Sequence, residues 1–381
     1  MAHHLALLLG FAPELAVAEI TAVTGIDPDR PTDKIAVIPD FSGNPVALQN
    51  RLGGTIKTVS LLEELADDTQ ETVQEAIAAH FTQGPTTKNI AIGEWGRDHL
   101  PALNIFGIKR ALQEAGYKVR FREGNRYGLG GAVLAHHNVT EFIILFWQEA
   151  WWLGQTAAIS NPDFWTTRDR EKPFTDHKRG MLAPKVARML VNLTVGEEQP
   201  SDTTVLFDPF CGTGTVLLEA RTMGYSVLGS DADMKAIEGT RQNLEWQSEQ
   251  EPTTQAVSFA LQTSDATSVV PPNPKAVRYI VTEPFLGKPK PVPEQLPNII
   301  RGLEKLYWGT FKNWAKWLED GTKITIILPK FRTNQKETDF ANLIDKIGQI
   351  GYSTQSGSWE YAHSDAVVKR QILTLRFTKE N

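Results

Sequence analysis

DPFCGTG, residues 208 to 214, is the stretch on which the reading of this chain turns. It follows VLFD, an apolar run that ends in an acid, and opens into GTVLLEARTMG, whose apolar residues recur at helical spacing as far as Gly224. A strand ending in an acid, a glycine turn and a helix in immediate succession make the first half of a βαβ unit. Gly212 and Gly214 let the backbone pass close to a ligand. The spacing is not that of the dinucleotide fingerprint G-x-G-x-x-G, and the turn lacks the lysine of a phosphate-binding P-loop. An acid at the head of the turn suits a ligand with a cationic amino acid end better than a pyrophosphate, and Asp208 is the candidate contact.

Downstream the pattern repeats. SVLGSD is a second strand ending in Asp231, seventeen residues after Gly214, and MKAIEGTRQNLEWQ is its helix. An acid at that tip can accept hydrogen bonds from both hydroxyls of a ribose. AVSFA (256–260), AVRYIVTEP (276–284) and KITIILPKF (323–331) supply three more strands. Asp265, in TSDAT after the third strand, can reach an adenine amine, and Asp233 and Ala266 flank the same place. Three acids at successive strand tips beside a glycine turn mark a ligand site at the switch point of a parallel sheet. The fourth strand ends in TEPFLG, residues 282 to 287. There Glu283 and the Pro284 carbonyl can each accept a hydrogen bond from an exocyclic amine, and Phe285 offers a ring for stacking on a base. Cys211 has no histidine nearby in sequence and reads as a packed side chain rather than a nucleophile. FANLIDKIGQIG is a helix closed by Gly351, and SWEYAH with KRQILTLRF forms a terminal antiparallel hairpin at the sheet edge. The region 204–381 is therefore an α/β domain of Rossmann-like type, mostly parallel and covered on both faces.

Upstream the alternation is of another kind. HLALLLGF is a strand and APELAVAEITAVTG a helix closed by Gly25. KIAVIPDF is a second strand, and VSLLEELADDTQETVQEAIAAHF, residues 59 to 81, reads as one helix. KNIAIGEWG is a strand, NIFGIKRALQEAGYKVRFREG a helix, a stop at Gly116 and a strand, and TEFIILFWQEAWWLGQTAAIS two strands around a turn. Trp151 and Trp152 read as packing residues. Residues 1–160 thus form an α+β region. Residues 161–179 are polar without a period and read as a connection. MLAPKVARMLVNLTV is a helix with apolar positions at Leu182, Val186, Met189 and Leu190, so that 161–203 is a linker with a lead-in helix.

Of the 381 residues 41% are hydrophobic, with 17 Phe and 10 Trp, enough for two cores. One cysteine excludes an internal disulfide and a cysteine-built metal site, so no metal is expected. The first residues lack a basic segment before their apolar run, and no stretch approaches 18 uncharged apolar residues, so neither a secretion signal nor a membrane span is expected. A cytoplasmic monomer is the expectation. The net charge is -6, which does not favour nucleic acid, but it is unevenly spread. Residues 161–190 hold seven basic against four acidic side chains, and 101–130 six against two. The second segment interleaves Lys109, Arg110, Lys118, Arg120, Arg122 and Arg126 with Tyr117, Phe121 and Tyr127, a mixture that suits phosphates and bases.

DPFCGTGTVLLEA, GSDAD and TEPFLG together resemble the tRNA guanosine N2-methyltransferases that join a THUMP domain to a Rossmann-like methyltransferase. RDREKPFTDHKRGMLAPKVARMLVNL is similar to the linker and lead-in helix of that family. LGFAPELAVAEI is similar to its opening, and VRFREGNRYGLGGAVLAHHNV to its THUMP core. The resemblance covers nearly the whole chain. It implies S-adenosylmethionine as cofactor and methyl transfer to the exocyclic amine of a guanosine in tRNA, typically at position 10. Asp208, Gly212 and Gly214 would hold the methionine part, with Pro209, Phe210 and Thr213 of the same turn. Asp231 with Ala232 would hold the ribose, and Asp265 with Ala266 the adenine. Glu283, Pro284 and Phe285 would be catalytic, and Arg168, Arg170, Lys178, Arg179 and Lys185 would bind tRNA. The fourth-strand motif departs from the family, which has Asp, Pro, Pro, then Tyr or Phe. Here the acid is longer by a methylene, and Leu286 stands where the family has a ring. An amino methyltransferase for another RNA or DNA, and a non-catalytic RNA-binding protein that keeps the fold, are the alternatives. A small activator subunit is compatible with the sequence.

Overall fold

A computed structural model of the chain describes residues 3–81, 87–96, 103–176, 181–287, 291–332, 337–362 and 367–379. The chain divides into two compact units, Met1–Thr21 with Ile26–Thr166 and Ala22–Gly25 with Thr167–Asn381. Among the described residues, no helix is long and apolar enough to cross a membrane.

The first unit runs β1 (His3–Leu9), α1 (Pro13–Thr24), β2 (Asp29–Thr32), β3 (Ile35–Phe41), α2 (Pro45–Arg51), β4 (Thr55–Leu65), α3 (Gln70–His80), β5 (Lys88–Trp95), α4 (Ile105–Glu114), β6 (Val119–Phe121), α5 (Gly131–His136), β7 (Val139–Trp147) and β8 (Ala150–Ile159). Its strands form one mixed sheet in the order β2-β3-β1-β4-β8-β7-β5-β6. The helix expected from residue 59 is corrected: the chain stays extended to Leu65 and turns helical only at Gln70, where the Thr69 hydroxyl caps the Thr72 N–H. β4 pairs with β1 over Thr55–Ser60 and with β8 over Lys57–Leu65. The ladder to β8 outweighs the helical preference of the Leu and Glu residues in 61–65. Gln148 and Glu149 join β7 to β8 with φ of 51° and 59°, the left-handed pair that a two-residue hairpin turn needs. Trp152 packs edge-on against His4, and Trp151 packs at a tilt against Phe146.

A buried ion pair pins the glycine-rich loop of this unit. Lys57 Nζ lies 2.8 Å from Glu141 and donates to the Leu129 carbonyl at 3.0 Å, while the Leu129 N–H donates back to Glu141 at 2.6 Å. Burial lowers the Lys57 pKa, and the Glu141 charge opposes that shift. With each charge bonded on several sides, the pair sets where residues 127–129 run.

The stretch expected as an aperiodic connection instead forms α6 over Pro162–Arg170, capped by Asn161, whose side chain accepts from the Asp163 and Phe164 N–H groups. The second unit continues with α7 (Pro184–Val195), β9 (Val205–Asp208), α8 (Thr215–Thr222), β10 (Ser226–Asp231), α9 (Met234–Gln250), β11 (Phe259–Thr263), β12 (Val277–Thr282), α10 (Leu296–Trp314), β13 (Lys323–Arg332), β14 (Glu337–Thr338), α11 (Ala341–Gly348), β15 (Tyr352–Tyr361) and β16 (Val368–Phe377). The sheet order is β11-β10-β9-β12-β13-β16-β15, with β14 paired to β13. β9 to β13 are parallel to one another. β16 lies antiparallel between β13 and β15, so the terminal hairpin extends the sheet and β15 is its edge. The third parallel strand begins at Phe259, three residues later than the sequence pattern indicated. Order reverses between β9 and β12, so a cleft opens at the carboxyl ends of β9, β10, β11 and β12. Leu182, Val186, Met189 and Leu190 are all buried, and the core beneath α10 is built on Phe207, Ile280, Phe311, Trp314 and Tyr352.

Candidate active site

The glycine turn is held open by its neighbours. Gly212 and Gly214 have φ of 50° and 79°, a region that glycine enters without strain. The Gly212 N–H donates to Asp231 at 3.1 Å, its carbonyl accepts from Thr240 at 2.7 Å, and the Gly214 N–H closes the turn on the Cys211 carbonyl. A side chain at Gly214 would meet the Thr240 methyl at 2.7 Å. The turn therefore leans on α9 and presents its other face to a cavity of about 1080 Å³. That is room for more than one small molecule.

Asp208, Asp231 and Asp265 all line this cavity, with Glu283, Pro284 and Phe285. Pro209, Phe210, Gly212, Thr213, Ala232 and Ala266 line it as well, whereas Gly214 shapes the turn from behind. Asp208 is 2% exposed and accepts from the Thr282 hydroxyl at 2.6 Å and the Phe210 N–H at 3.1 Å. Burial raises its pKa to about 7, against those two hydrogen bonds and with help from the charges of Asp231 and Glu283. The Asp231 carboxylate also accepts from the Asp233 N–H at 2.9 Å, which fixes its plane at the strand tip. Asp265 accepts from the Thr267 N–H and hydroxyl, both at 2.7 Å. Several carboxyl groups around one cavity, one of them starved of solvent, make a site that favours a cationic ligand. Cys211 is buried, and burial followed by the Asp208 and Asp231 charges pushes its thiol pKa well up, the opposite of what a nucleophile requires.

Glu283 follows β12 and is ion-paired: Arg370 Nε on β16 donates to its Oε1 at 2.5 Å. The next anchor of the same loop is Tyr307 on α10, whose hydroxyl donates to the Phe285 carbonyl at 2.7 Å. The Phe285 ring is 59% exposed and lines the cavity, so it is presented rather than packed. Leu286 lines the cavity too, without a ring face. The linker closes another wall. Phe174 exchanges backbone hydrogen bonds with the Asn243 side chain at 2.8 and 3.0 Å, and the same amide donates to the Thr213 carbonyl at 2.8 Å. Sequence reasoning missed Arg370, Tyr307 and Asn243. Arg370 carries a faint signal, a charge in the half-buried start of the last strand, but its partner is 87 residues away.

The expected tRNA contacts divide. Arg168 is corrected: it is 1% exposed and pairs with Glu219 at 3.5 Å and with Glu251. Arg188 bonds the same Glu219 at 2.6 Å, and Lys172 is buried, its pKa lowered by that burial. These basic side chains neutralise an internal acid, so the positive surplus of the linker is not all at the surface. Arg170 is exposed, and Lys185 is half-buried with a pKa lowered by desolvation. Lys178 and Arg179 lie outside the described residues.

Residues 173–289 match the family model UPF0020, described as the RMKL-like methyltransferase domain. The chain is 41% identical over 92 residues to the tRNA (guanine(10)-N2)-dimethyltransferase of Methanothermobacter thermautotrophicus, covering 23% of this chain and 25% of that one. It is 30% identical over 159 residues to the enzyme of the same name from Pyrococcus abyssi, covering 41% and 44%. The matched stretches thus span less than half the length of these curated relatives. The whole chain shares its fold with TrmN from Thermus thermophilus at a TM-score of 0.57, with 16% identity, over 98% of this chain and 99% of that one.

Proposed function

We propose that this protein transfers methyl groups from S-adenosylmethionine to the exocyclic N2 of a guanosine in tRNA, at position 10. The observation that carries the reading is the convergence of Asp208, Asp231, Asp265 and Glu283 on one cavity at the switch point of a methyltransferase sheet. The relatives named for guanine(10)-N2 dimethylation support the nucleotide, and the basic segment 101–130 in the first unit supports a THUMP-like role in gripping RNA. A reducing, cytoplasmic setting fits a chain with one cysteine.

The residues present fit the cofactor. Its ammonium end would meet Asp208, its ribose Asp231, and its adenine Asp265 and Ala266, with the glycine turn beneath the methionine part. When bound, S-adenosylmethionine supplies an electrophilic methyl on a sulfonium centre. The protein's task is then to hold a weakly basic amine, whose lone pair is delocalised into the purine. Glu283 and the Pro284 carbonyl each accept one N–H and rotate nitrogen density toward the methyl. Acceptors already fixed in place favour the transition state, where the amine gains positive charge, over the ground state. Phe285 stacks on the base once it has left its helix. Arg170 and Lys185, with Lys178 and Arg179, would contact the phosphate backbone.

Unmodified tRNA incubated with pure protein and labelled cofactor, then digested to nucleosides, should yield N2-methylguanosine and its dimethyl form. Label in another nucleoside would move the substrate, and no label in any tRNA would favour a binding protein that keeps the fold.

A further inference from the structure

We propose that Arg370 is a positioning residue for Glu283, and that the extra methylene of this acid exists here to reach it. The inference rests on Glu283 being the amine acceptor of the reaction proposed above.

Glu283 and Arg370 line the same cavity and are 16% and 25% exposed, so water screens their contact only in part. Arg370 Nε takes Oε1 at 2.5 Å, and among the described residues no other group bonds the Glu283 carboxylate. One oxygen is thus held and the second is left for a ligand. Arg370 is itself well placed. Its backbone is fixed by ladders on both sides, opposite Pro329 of β13 and Tyr361 of β15. Its guanidinium lies 5.7 Å from the centre of the Tyr361 ring. The neighbouring Lys369 is turned to other acids, Glu360 at 2.9 Å and Glu337 at 3.4 Å, so the contact with Glu283 belongs to Arg370. Because β16 is antiparallel to β13, its first residues stand at the carboxyl end of the parallel strands. That brings a cation from the end of the chain to the tip of β12. The loop is then fixed at both ends of its turn, by Arg370 at Glu283 and by Tyr307 at the Phe285 carbonyl.

The test is a double-variant cycle with Arg370→Met, Glu283→Gln and both together, plus Arg370→Lys and Glu283→Asp. With saturating cofactor and unmodified tRNA, Arg370→Met should lower the single-turnover rate constant about tenfold to a hundredfold while the Kd of cofactor and tRNA stay within about threefold. Arg370→Lys should recover most of the loss. In the Glu283→Gln background, Arg370→Met should add less than about twofold. Glu283→Asp, although it restores the acid usual in the family, should be slower by about tenfold because it falls short of Arg370. Thermal unfolding of the same proteins without ligand supplies a readout free of activity: the double variant should melt no lower than Arg370→Met alone. Additive losses in both cycles would overturn the proposal. So would an Arg370→Met protein with an unchanged rate constant and weaker tRNA binding, which would make Arg370 a substrate contact. If the intact protein transfers no methyl group, the proposed reaction fails, and the unfolding cycle still decides whether Arg370 holds Glu283.

Discussion

A single carboxyl group, Asp208, links the cavity to pH. Its folded-state pKa is raised to about 7, chiefly by burial, whereas an unfolded aspartate titrates near its ordinary value of 3.8. The stability this group contributes is therefore fully present below about pH 4 and is lost as pH rises through about 7. A bound cation favours the ionised form and reverses that loss. Cofactor binding should release about one proton per site at pH 6 and almost none above pH 8.5, and affinity should climb with pH until it levels past 7. Calorimetry in two buffers of different ionisation heat measures the proton directly, and Asp208→Asn should abolish it. Release that persists in the variant would mean another group is responsible. At the other side of the cavity, Glu283→Gln keeps the size but replaces an acceptor oxygen with a donor. It should lower turnover by roughly 10² to 10³ and leave cofactor affinity nearly unchanged. Unchanged turnover would remove Glu283 from the chemistry. Asp208 and Asp231 were legible because each ends an apolar run at βαβ spacing, and Asp265 because it follows the next strand. The raised pKa was not, since it comes from burial of Asp208 in the folded domain, with the charges of Asp231 and Glu283 adding to it and the Thr282 hydrogen bond opposing it.

Between elements, Asn243 clasps the linker to the glycine turn. Its amide, on α9, makes one bond to the Thr213 carbonyl and two to the Phe174 backbone, and it is fully buried. Phe174 in turn lies over Gly239, where an added Cβ would meet the ring at 2.1 Å. Asn243→Ala strands three backbone groups and should destabilise the second unit by about 2 to 4 kcal/mol, read by denaturant unfolding. Gly239→Ala should displace Phe174 from the cavity wall and weaken cofactor binding with a smaller loss of stability. Equal cofactor affinity for wild type and Gly239→Ala would show that this wall does not touch the ligand. The helix α9 itself was readable from MKAIEGTRQNLEWQ, but an asparagine within it gave no sign of its partner. β4 shows the same limit from the other direction: a run that favours helix locally became a strand because β8 pairs with it as far as Leu65 and β1 holds its start as far as Ser60.

For the molecule as a whole, the proposed division of labour predicts separable binding. Removing residues 1–160 should abolish tight tRNA binding and leave cofactor binding measurable. The full chain's tRNA affinity should fall steeply with salt, because cations condensed on the phosphates are released on binding. Equal tRNA affinity of the truncated and full-length proteins, measured at one salt concentration, would contradict this. The net charge of -6 gave little guidance here, and even the local surplus of the linker misled, because Arg168, Lys172 and Arg188 are folded inward to serve Glu219 and the interior. By itself the sequence determined the alternation of strand and helix after residue 204, the glycine turn, the acids at the strand tips and the antiparallel hairpin at the end. Each of these is written in a short window, where periodicity and turn chemistry act through neighbours along the chain. Only the tertiary structure decided that the first turns of 59–81 are extended, that Arg168 is internal, and that Arg370 meets Glu283. Those outcomes depend on strand pairing and ion pairing between residues far apart in sequence, whose free energy exists only once the sheet has brought them together.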